Sequence, residues 1–393
     1  MDRAIVGMQA FHETPVPELD MTRTRKRGVV FAAGTALAAA AWFGSRAGLD
    51  ASATQARATA ACPPASASVP AASPSPRSAL ATTGHIFASH GSSRPRVSII
   101  DVATGKVTSL AAGIADPHEV AVSPDGRWGV AADFGDYEGD YEFDGHRLAV
   151  FDLPAKRLAR VIDLGSYLGP HDIVFHPTAP HRAFVTTQTT RHVIEVDVEA
   201  GRILGATETR AVGSHTMAVT ADGRTGFTAN EPEGSLTRID LVRRAFVAKY
   251  TVGPGPTEGI AVTPDGREVW MGFLKDGEVR VVDGNTGALL ATVKGVMSPE
   301  RLALSPDGRR AVISDRGCKV LQVVDVRTRR VLGPIAGLSG SVGAAKVLPD
   351  NRSAVVAIVP TGVVAIVDLE ERRVISRFQL GGWVDAVGWG PKP

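Results

Sequence analysis

Residues Gly259–Val293 read GIAVTPDGREVWMGFLKDGEVRVVDGNTGALLATV, and this stretch decides the fold class. Four short apolar runs, at 259–263, 268–273, 278–283 and 288–293, are separated by turns that contain Pro-Asp-Gly, Lys-Asp-Gly and Asn-Thr-Gly. Short β-branched runs joined by glycine-containing turns are typical of antiparallel hairpins. No run shows the 3.6-residue period of a helix. The stretch therefore predicts four consecutive antiparallel strands.

This four-strand unit recurs along the chain with a nearly constant period. An aspartate ends an apolar run once in each unit, at Asp101, Asp152, Asp197, Asp240, Asp283, Asp325 and Asp368. The spacings between them are 51, 45, 43, 43, 42 and 43 residues. A Ser-Pro-Asp-Gly turn, or a variant of it, keeps the same period. Four strands in a repeat of this length indicate one blade of a β-propeller.

The two ends of the repeated region predict how the ring closes. His85–His90 corresponds to the second strand of a blade with no inner strand before it, and Trp383–Trp389 corresponds to an inner strand with nothing after it. Together they complete one blade, which removes the exposed edges of an open array. The sequence thus predicts an all-β, seven-bladed β-propeller over residues 82–393, closed by pairing of its N- and C-terminal strands.

Two repeats resemble the YVTN-repeat family of seven-bladed propellers. Ala183–Asp197 (AFVTTQTTRHVIEVD) and Gly226–Asp240 (GFTANEPEGSLTRID) follow its pattern, although Phe184 and Phe227 replace the tyrosine and only Asn230 keeps the asparagine. The resemblance implies the propeller fold and a periplasmic or surface location. That family lies near propeller lactonases and periplasmic zinc metallochaperones, so the resemblance leaves both catalysis and binding open.

The first 53 residues have the order of an export signal. A basic run at 23–27 precedes the apolar, alanine-rich residues 28–44, and Ala51-Ser52-Ala53 offers a cleavage site. We expect cleavage near Ala53, with Met21 as an alternative start; an uncut membrane anchor is the competing interpretation. The protein is then periplasmic or secreted, with no stable membrane span after cleavage.

Residues 54–81 are rich in alanine, proline and serine, and we expect them to form a disordered tether. The chain has two cysteines, Cys62 and Cys318, whose spacing does not indicate a disulfide framework. Its 43 basic and 41 acidic residues give a net charge of +2, which argues against a nucleic-acid partner. We expect a monomer that binds a small ligand, a metal or another protein.

The repeat alignment also predicts a ring of polar side chains, because equivalent residues of the inner strands meet around a propeller's central channel. The position six residues before each turn proline, or its substitute, is occupied in chain order by His118, His171, His215, Glu258, Glu300, Gly343 and Asp385. Imidazoles beside carboxylates are ligands for zinc or copper. The three histidines with Glu258, Glu300 and Asp385 are therefore a candidate site for a divalent transition metal.

Other interpretations of the ring remain open at this point. Each histidine alone is also explained as a structural residue that bonds the next blade or channel water, and an anionic ligand is an alternative to a metal. Glu119 and Asp172 follow two of the histidines and are candidates for orienting them. Arg301 beside Glu300 resembles, in residue types, the channel of propeller lactonases. A hydrolase at the same ring and a plain protein-binding scaffold are the competing functions.

An insertion lengthens the first interval between the repeated aspartates. The extra residues fall in Asp133–Gly145 (DFGDYEGDYEFDG), which we call the acidic insertion. Its carboxylates alternate along the chain, at Asp136, Glu138, Asp140, Glu142 and Asp144. On an extended strand they would share one face, an arrangement that suits calcium, although the EF-hand spacing is missing. A solvated acidic loop is the simpler interpretation.

Overall fold

The structure is a computed structural model, and it describes Cys62 and residues 83–91, 95–338, 340–359 and 361–392. The expected export signal and, apart from Cys62, the expected tether lie outside these residues. None of the described residues belongs to a long apolar helix of the kind that crosses a bilayer.

Thirty strands account for the described fold, and their bounds follow in chain order. The first three are β1 (His85–Gly91), β2 (Arg96–Asp101) and β3 (Val107–Ala111). Blade 1 and its insertion contain β4 (Pro117–Val122), β5 (Trp128–Asp133), β6 (Tyr137–Gly139), β7 (Glu142–Phe143), β8 (Arg147–Asp152) and β9 (Arg157–Asp163). Blade 2 contains β10 (Pro170–Phe175), β11 (Arg182–Thr187), β12 (His192–Asp197) and β13 (Arg202–Glu208). Blade 3 contains β14 (Ser214–Val219), β15 (Thr225–Asn230), β16 (Ser235–Asp240) and β17 (Ala245–Thr251).

The second half of the ring has the same organisation. Blade 4 contains β18 (Thr257–Val262), β19 (Glu268–Phe273), β20 (Glu278–Asp283) and β21 (Leu289–Val293). Blade 5 contains β22 (Pro299–Leu304), β23 (Arg310–Asp315), β24 (Val320–Asp325) and β25 (Arg330–Pro334). Blade 6 contains β26 (Ser341–Val347), β27 (Ser353–Val359), β28 (Val363–Asp368) and β29 (Arg373–Gln379). The last strand is β30 (Trp383–Gly390).

The predicted ring closure is confirmed. β30 pairs antiparallel with β1, with Gly91 opposite Trp383 and His85 opposite Gly390. The closing blade therefore has the order β3-β2-β1-β30, and six further four-stranded sheets complete the seven blades. The all-β, seven-bladed propeller predicted from the repeat is the observed fold.

The core lies between the blades. Seven clusters of buried apolar residues occur in the described part of the chain, one at each interface between neighbouring blades. At the interface of blades 4 and 5, for example, Trp270 of β19 packs with Ile313 of β23. Each blade is thus stabilised by both of its neighbours, which makes closure of the ring a condition for burying the core.

The repeated aspartates have a local structural role. Asp283 accepts hydrogen bonds from the backbone N–H groups of Asn285 and Thr286, at 2.9 and 2.8 Å, and so closes the turn into the outer strand. The same carboxylate-to-backbone bonds follow Asp197 and Asp368. Aspartate stabilises turns in this way because its short side chain reaches the N–H groups two and three residues ahead. This structural role explains why an aspartate recurs once in each repeat.

The strand order places particular connections on one face of the ring. Pro117 at the start of inner strand β4 pairs with Asp133 at the end of β5, and Pro299 pairs with Asp315 in blade 5. The starts of the inner strands and the loops that follow the second strands therefore share one face, which we call the ring face. The acidic insertion follows β5 and so lies on this face.

A disulfide joins Cys62 to Cys318, a pairing that the spacing of the cysteines had not indicated. Cys318 lies in the loop after β23, so the bridge attaches Cys62 to the ring face of blade 5. The two residues are separated by 256 positions in sequence. Disulfides persist in oxidising compartments, so the bridge is compatible with an exported protein.

We expect the substitution Cys318→Ser to lower the free energy of unfolding by about 2–4 kcal/mol, because the bridge restricts the unfolded chain. Denaturant unfolding of the parent and the variant, with and without a reductant, measures this. The reductant should bring the parent down to the variant and leave the variant unchanged. Equal stability of the two oxidised proteins would contradict the prediction.

Candidate functional site

A backbone irregularity presents the seven ring residues. The ring position is the second residue of β4, β10, β14, β18 and β22, and the third residue of β26 and β30. At or directly beside this position the pairing of every inner strand with its neighbour shifts register. A bulge bends the strand and redirects a side chain. The repeat therefore supplies both the position and the local geometry that turns these side chains toward the axis.

The three ring histidines lie side by side. The ring centroids of His118 and His171 are 5.0 Å apart, and those of His171 and His215 are 3.8 Å apart. His171 and His215 have no exposed surface. Three imidazoles from blades 1, 2 and 3 are thus brought together in an arc, buried at His171 and His215 and partly exposed at His118, as the register of the repeats places them.

His171 is the centre of this arc, and its polar atoms lack partners. Neither ring nitrogen of His171 has a hydrogen-bond partner among the described residues. Burial, with the neighbouring His215 and His118 next, lowers the pKa of His171 well below its ordinary value, so the imidazole is neutral. A buried polar atom without a partner costs about 1–3 kcal/mol, so such an atom requires an explanation. A neutral imidazole with free lone-pair capacity is the form that binds metals.

Glu119 completes a group that fits a metal ion. One ligand atom each from His118, Glu119 and His171 lies within 4.8 Å of the other two, and this is the one such group in the described residues. Two histidines and a carboxylate are a common ligand set for zinc. The sequence predicted Glu119 only as an orienting residue, and its position directly after His118 was the signal that it also faces the site.

His215 is held from both sides. Its Nδ1 lies 2.7 Å from Oε1 of Gln188 and 3.7 Å from Oε2 of Glu231, and its Nε2 lies 3.5 Å from Oε1 of Glu258. Burial lowers the pKa of His215, and the carboxylates of Glu231 and Glu258 offset only part of this. In the tautomer with the proton on Nδ1, this nitrogen donates to Gln188, and Nε2 keeps its lone pair on the side of Glu258. Gln188 was not found from the sequence, because it lies in a loop outside the ring position.

The predicted carboxylates are distributed unequally around the ring. Oδ2 of Asp385 lies 3.6 Å from Nδ1 of His118, and Glu258 contacts His215 as described. Glu300 is instead paired with Arg316, at 3.5 Å, and blade 4 separates it from His215. Asp385 and Glu258 therefore flank the histidine arc at its two ends, whereas Glu300 lies beyond it.

Arg301 connects the two sides of the channel. Its Nη2 donates to Glu119 at 2.8 Å and its Nη1 donates to Glu258 at 3.0 Å, although these carboxylates belong to blades 1 and 4. Burial alone would lower the pKa of Arg301, but Glu119 and Glu258 raise it well above its ordinary value. The permanent charge of Arg301 balances the carboxylates around the histidines. This charge balance explains the presence of Arg301 in the channel, where the sequence resembled a propeller lactonase in residue types.

The sequence suggested that Asp172 orients a histidine, but its side chain instead contacts the backbone of the next blade. Its Oδ2 accepts the backbone N–H of Met217 at 2.8 Å, which ties blade 2 to blade 3. Burial, with the charge of Glu119 next, raises the pKa of Asp172 to about 6. Asp172 therefore strengthens the contact between the blades that carry His171 and His215.

The acidic insertion forms a short hairpin of β6 and β7 on the ring face. The chain reverses at Asp140 and Tyr141, whose φ angles are 48° and 65°, so the alternating carboxylates do not share one face of a single strand. Its two phenylalanines point inward instead. The ring of Phe134 lies 4.9 Å from that of His118, and Phe143 stacks on Phe134 at 3.7 Å.

The substitution Glu300→Gln tests the electrostatics of the ring. Burial, with Glu258 next, raises the pKa of Glu300 from 4.5 to about 7. The folded protein therefore retains a proton that the unfolded chain loses near pH 4.5, and stability falls as the pH rises from 4.5 to about 7. Glutamine removes this loss. We expect the metal-free variant to gain about 1–3 kcal/mol at about pH 8 and little below pH 4.5, measured by denaturant unfolding. A gain that is the same at both pH values would contradict this.

Comparisons with known proteins bear on the fold. No protein-family model and no curated protein matches the chain. In structure the chain is similar to Kuenenia stuttgartiensis hydrazine synthase, with a TM-score of 0.60 and 18% sequence identity. The match covers 74% of this chain and 97% of that chain. At this identity the similarity shows the propeller fold alone, and the resemblance to the YVTN-repeat family stays a prediction.

Proposed function

We propose that this protein is an exported, non-catalytic β-propeller that binds a divalent transition metal, zinc or copper, at the ring. One observation carries the proposal: His171 is buried and neutral, its two ring nitrogens have no partner in the described residues, and His118 and Glu119 present ligand atoms beside it. A metal ion would satisfy one of these nitrogens together with the ligand atoms of His118 and Glu119, and it would be excluded from water by the surrounding blades.

His118, Glu119 and His171 are the proposed ligands, and His215 is the proposed fourth. Gln188 orients His215 through Nδ1 at 2.7 Å, as outer residues commonly orient histidine ligands. Four side-chain ligands close the coordination sphere of zinc, which is typical of sites that hold the ion rather than use it in catalysis. Glu258, Asp385 and Glu300 would tune the charge around the ion, together with Arg301.

Export is supported by the order of the N-terminal segments and by the disulfide. The basic run, the apolar stretch and the Ala-Ser-Ala site stand in the order of a signal peptide. The Cys62–Cys318 bridge is compatible with an oxidising compartment, where disulfides persist. A periplasmic or secreted metal-binding protein, with a role like that of a metallochaperone, fits these features best.

The burial of the site favours binding over hydrolysis. His171 and His215 have no exposed surface, and Phe134 covers His118. A lactone would have to reach the same side chains, and Arg301 is already occupied by two carboxylates. The exposed carboxylates of the acidic insertion lack a grouped arrangement of ligands in the described residues, so we propose no calcium site there.

Elemental analysis of the protein purified from its native compartment tests the proposal. We expect about one zinc or copper per chain in the parent and none in the triple variant His118→Ala, His171→Ala, His215→Ala. A lactone panel on the same samples tests the competing function, with Glu300→Gln as the inactivating substitution for a hydrolase. Parent protein without metal that hydrolyses a lactone would replace our proposal with the hydrolase.

A further inference from the structure

The acidic insertion covers the histidine arc on the ring face. The ring of Phe134 lies 4.9 Å from that of His118 and 4.8 Å from that of His171, and Phe143 stacks on its outer side. Phe134 and Phe143 are themselves buried. Two phenylalanines thus separate the imidazoles from the solvent on this face, and a species that reaches His171 from there must displace them.

The hydroxyl group of Thr189 fastens the covering segment to the next blade. Oγ1 of Thr189 accepts the backbone N–H of Phe143 at 2.7 Å and donates to the carbonyl of Phe143 at 2.9 Å. Thr189 belongs to the loop after β11 of blade 2, whereas Phe143 belongs to the insertion of blade 1. The hairpin of β6 and β7 itself has only two paired positions, Tyr137–Phe143 and Gly139–Glu142. The Thr189 hydroxyl therefore holds β7 in place, whereas the base of the insertion is held by the backbone N–H of Gly169, which donates to the carbonyl of Gly145 at 2.8 Å.

The base of the insertion is a narrow neck of glycines. A Cβ atom on Gly135 would lie 2.1 Å from the backbone nitrogen of Gly145, and one on Gly145 would lie 1.9 Å from the carbonyl oxygen of Asp133. Gly135 also has a φ of 85°, which other residues rarely adopt. Two glycines facing each other at the base provide a hinge, because small residues at the ends of an element can absorb the rotation of the segment between them.

We propose that the acidic insertion is a hinged lid over the ring site, latched by Thr189, and that a metal ion enters and leaves when this latch opens. The proposal rests on the proposed function for the identity of the ion. The histidines belong to inner strands that are fixed within four-stranded blades, so they do not move outward to meet a ligand. From Phe134 to Gly145 the insertion belongs to none of the seven blade sheets. Rotation of residues 136–144 about Gly135 and Gly145 lifts Phe143 off Phe134, and the Phe134 side chain is then free to turn away from His118 and His171.

The lid can be tested without a metal by the chemical accessibility of His171. Diethyl pyrocarbonate modifies neutral imidazoles, and peptide mass spectrometry reads the rate at each histidine. We expect Thr189→Val, which keeps the shape of the side chain but removes both latch bonds, to increase the rate at His171 about tenfold or more. Thr189→Ser keeps the hydroxyl and should match the parent. His181, which is exposed, serves as the internal reference in all three proteins.

Stopped-flow zinc binding gives the second measurement. Opening the lid more often should raise the association and dissociation rates of zinc by the same factor and leave the affinity within about twofold of the parent, because the ligands are unchanged. Faster modification of His171 in a protein that binds no zinc would support the lid and contradict the proposed function. Equal modification of His171 in parent, Thr189→Val and Thr189→Ser would overturn the lid, and would indicate access from the opposite end of the channel.

Discussion

Deletion of residues 383–393 is expected to abolish cooperative folding. The deletion removes β30, so β1 loses one of its two partners and the closing blade loses its inner strand. It also removes Val384, Val387 and Trp389 from one core cluster and Ala386 from another. Burial of large apolar side chains contributes about 1.5–3 kcal/mol each, so the loss is comparable to the whole stability of a typical domain.

Circular dichroism and calorimetry of the truncated protein measure this effect. We expect an aggregating or molten product without a cooperative transition, because the opened ring exposes two sheet edges. Deletion of residues 392 and 393 alone is the matched control. It removes the pair between Lys392 and Asp101, a surface contact with a small contribution, and should leave the transition nearly unchanged. A protein without β30 that still melts cooperatively near the parent temperature would show that closure is not required.

The substitution His171→Leu is expected to abolish the response to zinc while leaving the metal-free protein folded. Leucine has a similar volume and removes two buried nitrogens that lack partners in the described residues. The metal-free variant should therefore be as stable as the parent or slightly more stable. Zinc binds only the folded ring, so it should raise the free energy of unfolding of the parent by about 2.7 kcal/mol at 100 times Kd. The melting temperature of the parent should therefore rise with zinc concentration. We expect zinc affinity to fall at least a hundredfold in the variant.

His181→Ala is the control, because His181 is exposed and lies outside the ring position. It should keep the zinc response of the parent. If His171 were only a structural residue, His171→Leu would lower the metal-free stability and leave any zinc effect in place. That outcome would exclude His171 as a ligand.

The same titration has a defined pH dependence. Free histidine protonates near pH 6.5, and the sequence alone predicts that affinity falls as the pH drops through this value. Burial lowers the folded-state pKa of His171 below 6.5, so protons compete with the metal for His171 only at a lower pH. The contribution of His171 to zinc affinity should therefore persist below pH 6.5 and be lost further down.

Most of the fold and the positions of the ring histidines could be predicted from the register of the repeat. The aspartate spacing and the turn marker fixed the number of blades, and the incomplete units at His85 and Trp383 indicated the closure. The same register placed His118, His171 and His215 on neighbouring inner strands. These features follow from a period along the chain, and a period can be read without coordinates.

Other parts of the site depend on loop geometry and were not predictable. Phe134 and Phe143 reach the histidines because the acidic insertion folds back over the ring face, and no period describes that path. Thr189 meets Phe143 across a blade boundary for the same reason. The pairing of Cys62 with Cys318 depends on the path of the N-terminal segment. The role of Glu119 depends on the bulge at the ring position, which lets two successive residues face the site.

Anomalous diffraction from crystals grown with zinc tests the metal site most directly. We predict one strong anomalous peak beneath Phe134, about 2.0–2.2 Å from imidazole nitrogens of His118 and His171 and from a carboxylate oxygen of Glu119. Crystals that bind zinc only at other positions, with no peak here, would contradict the proposed metal site. So would a structure in which the imidazoles of His118, His171 and His215 turn away from each other into the blade interfaces.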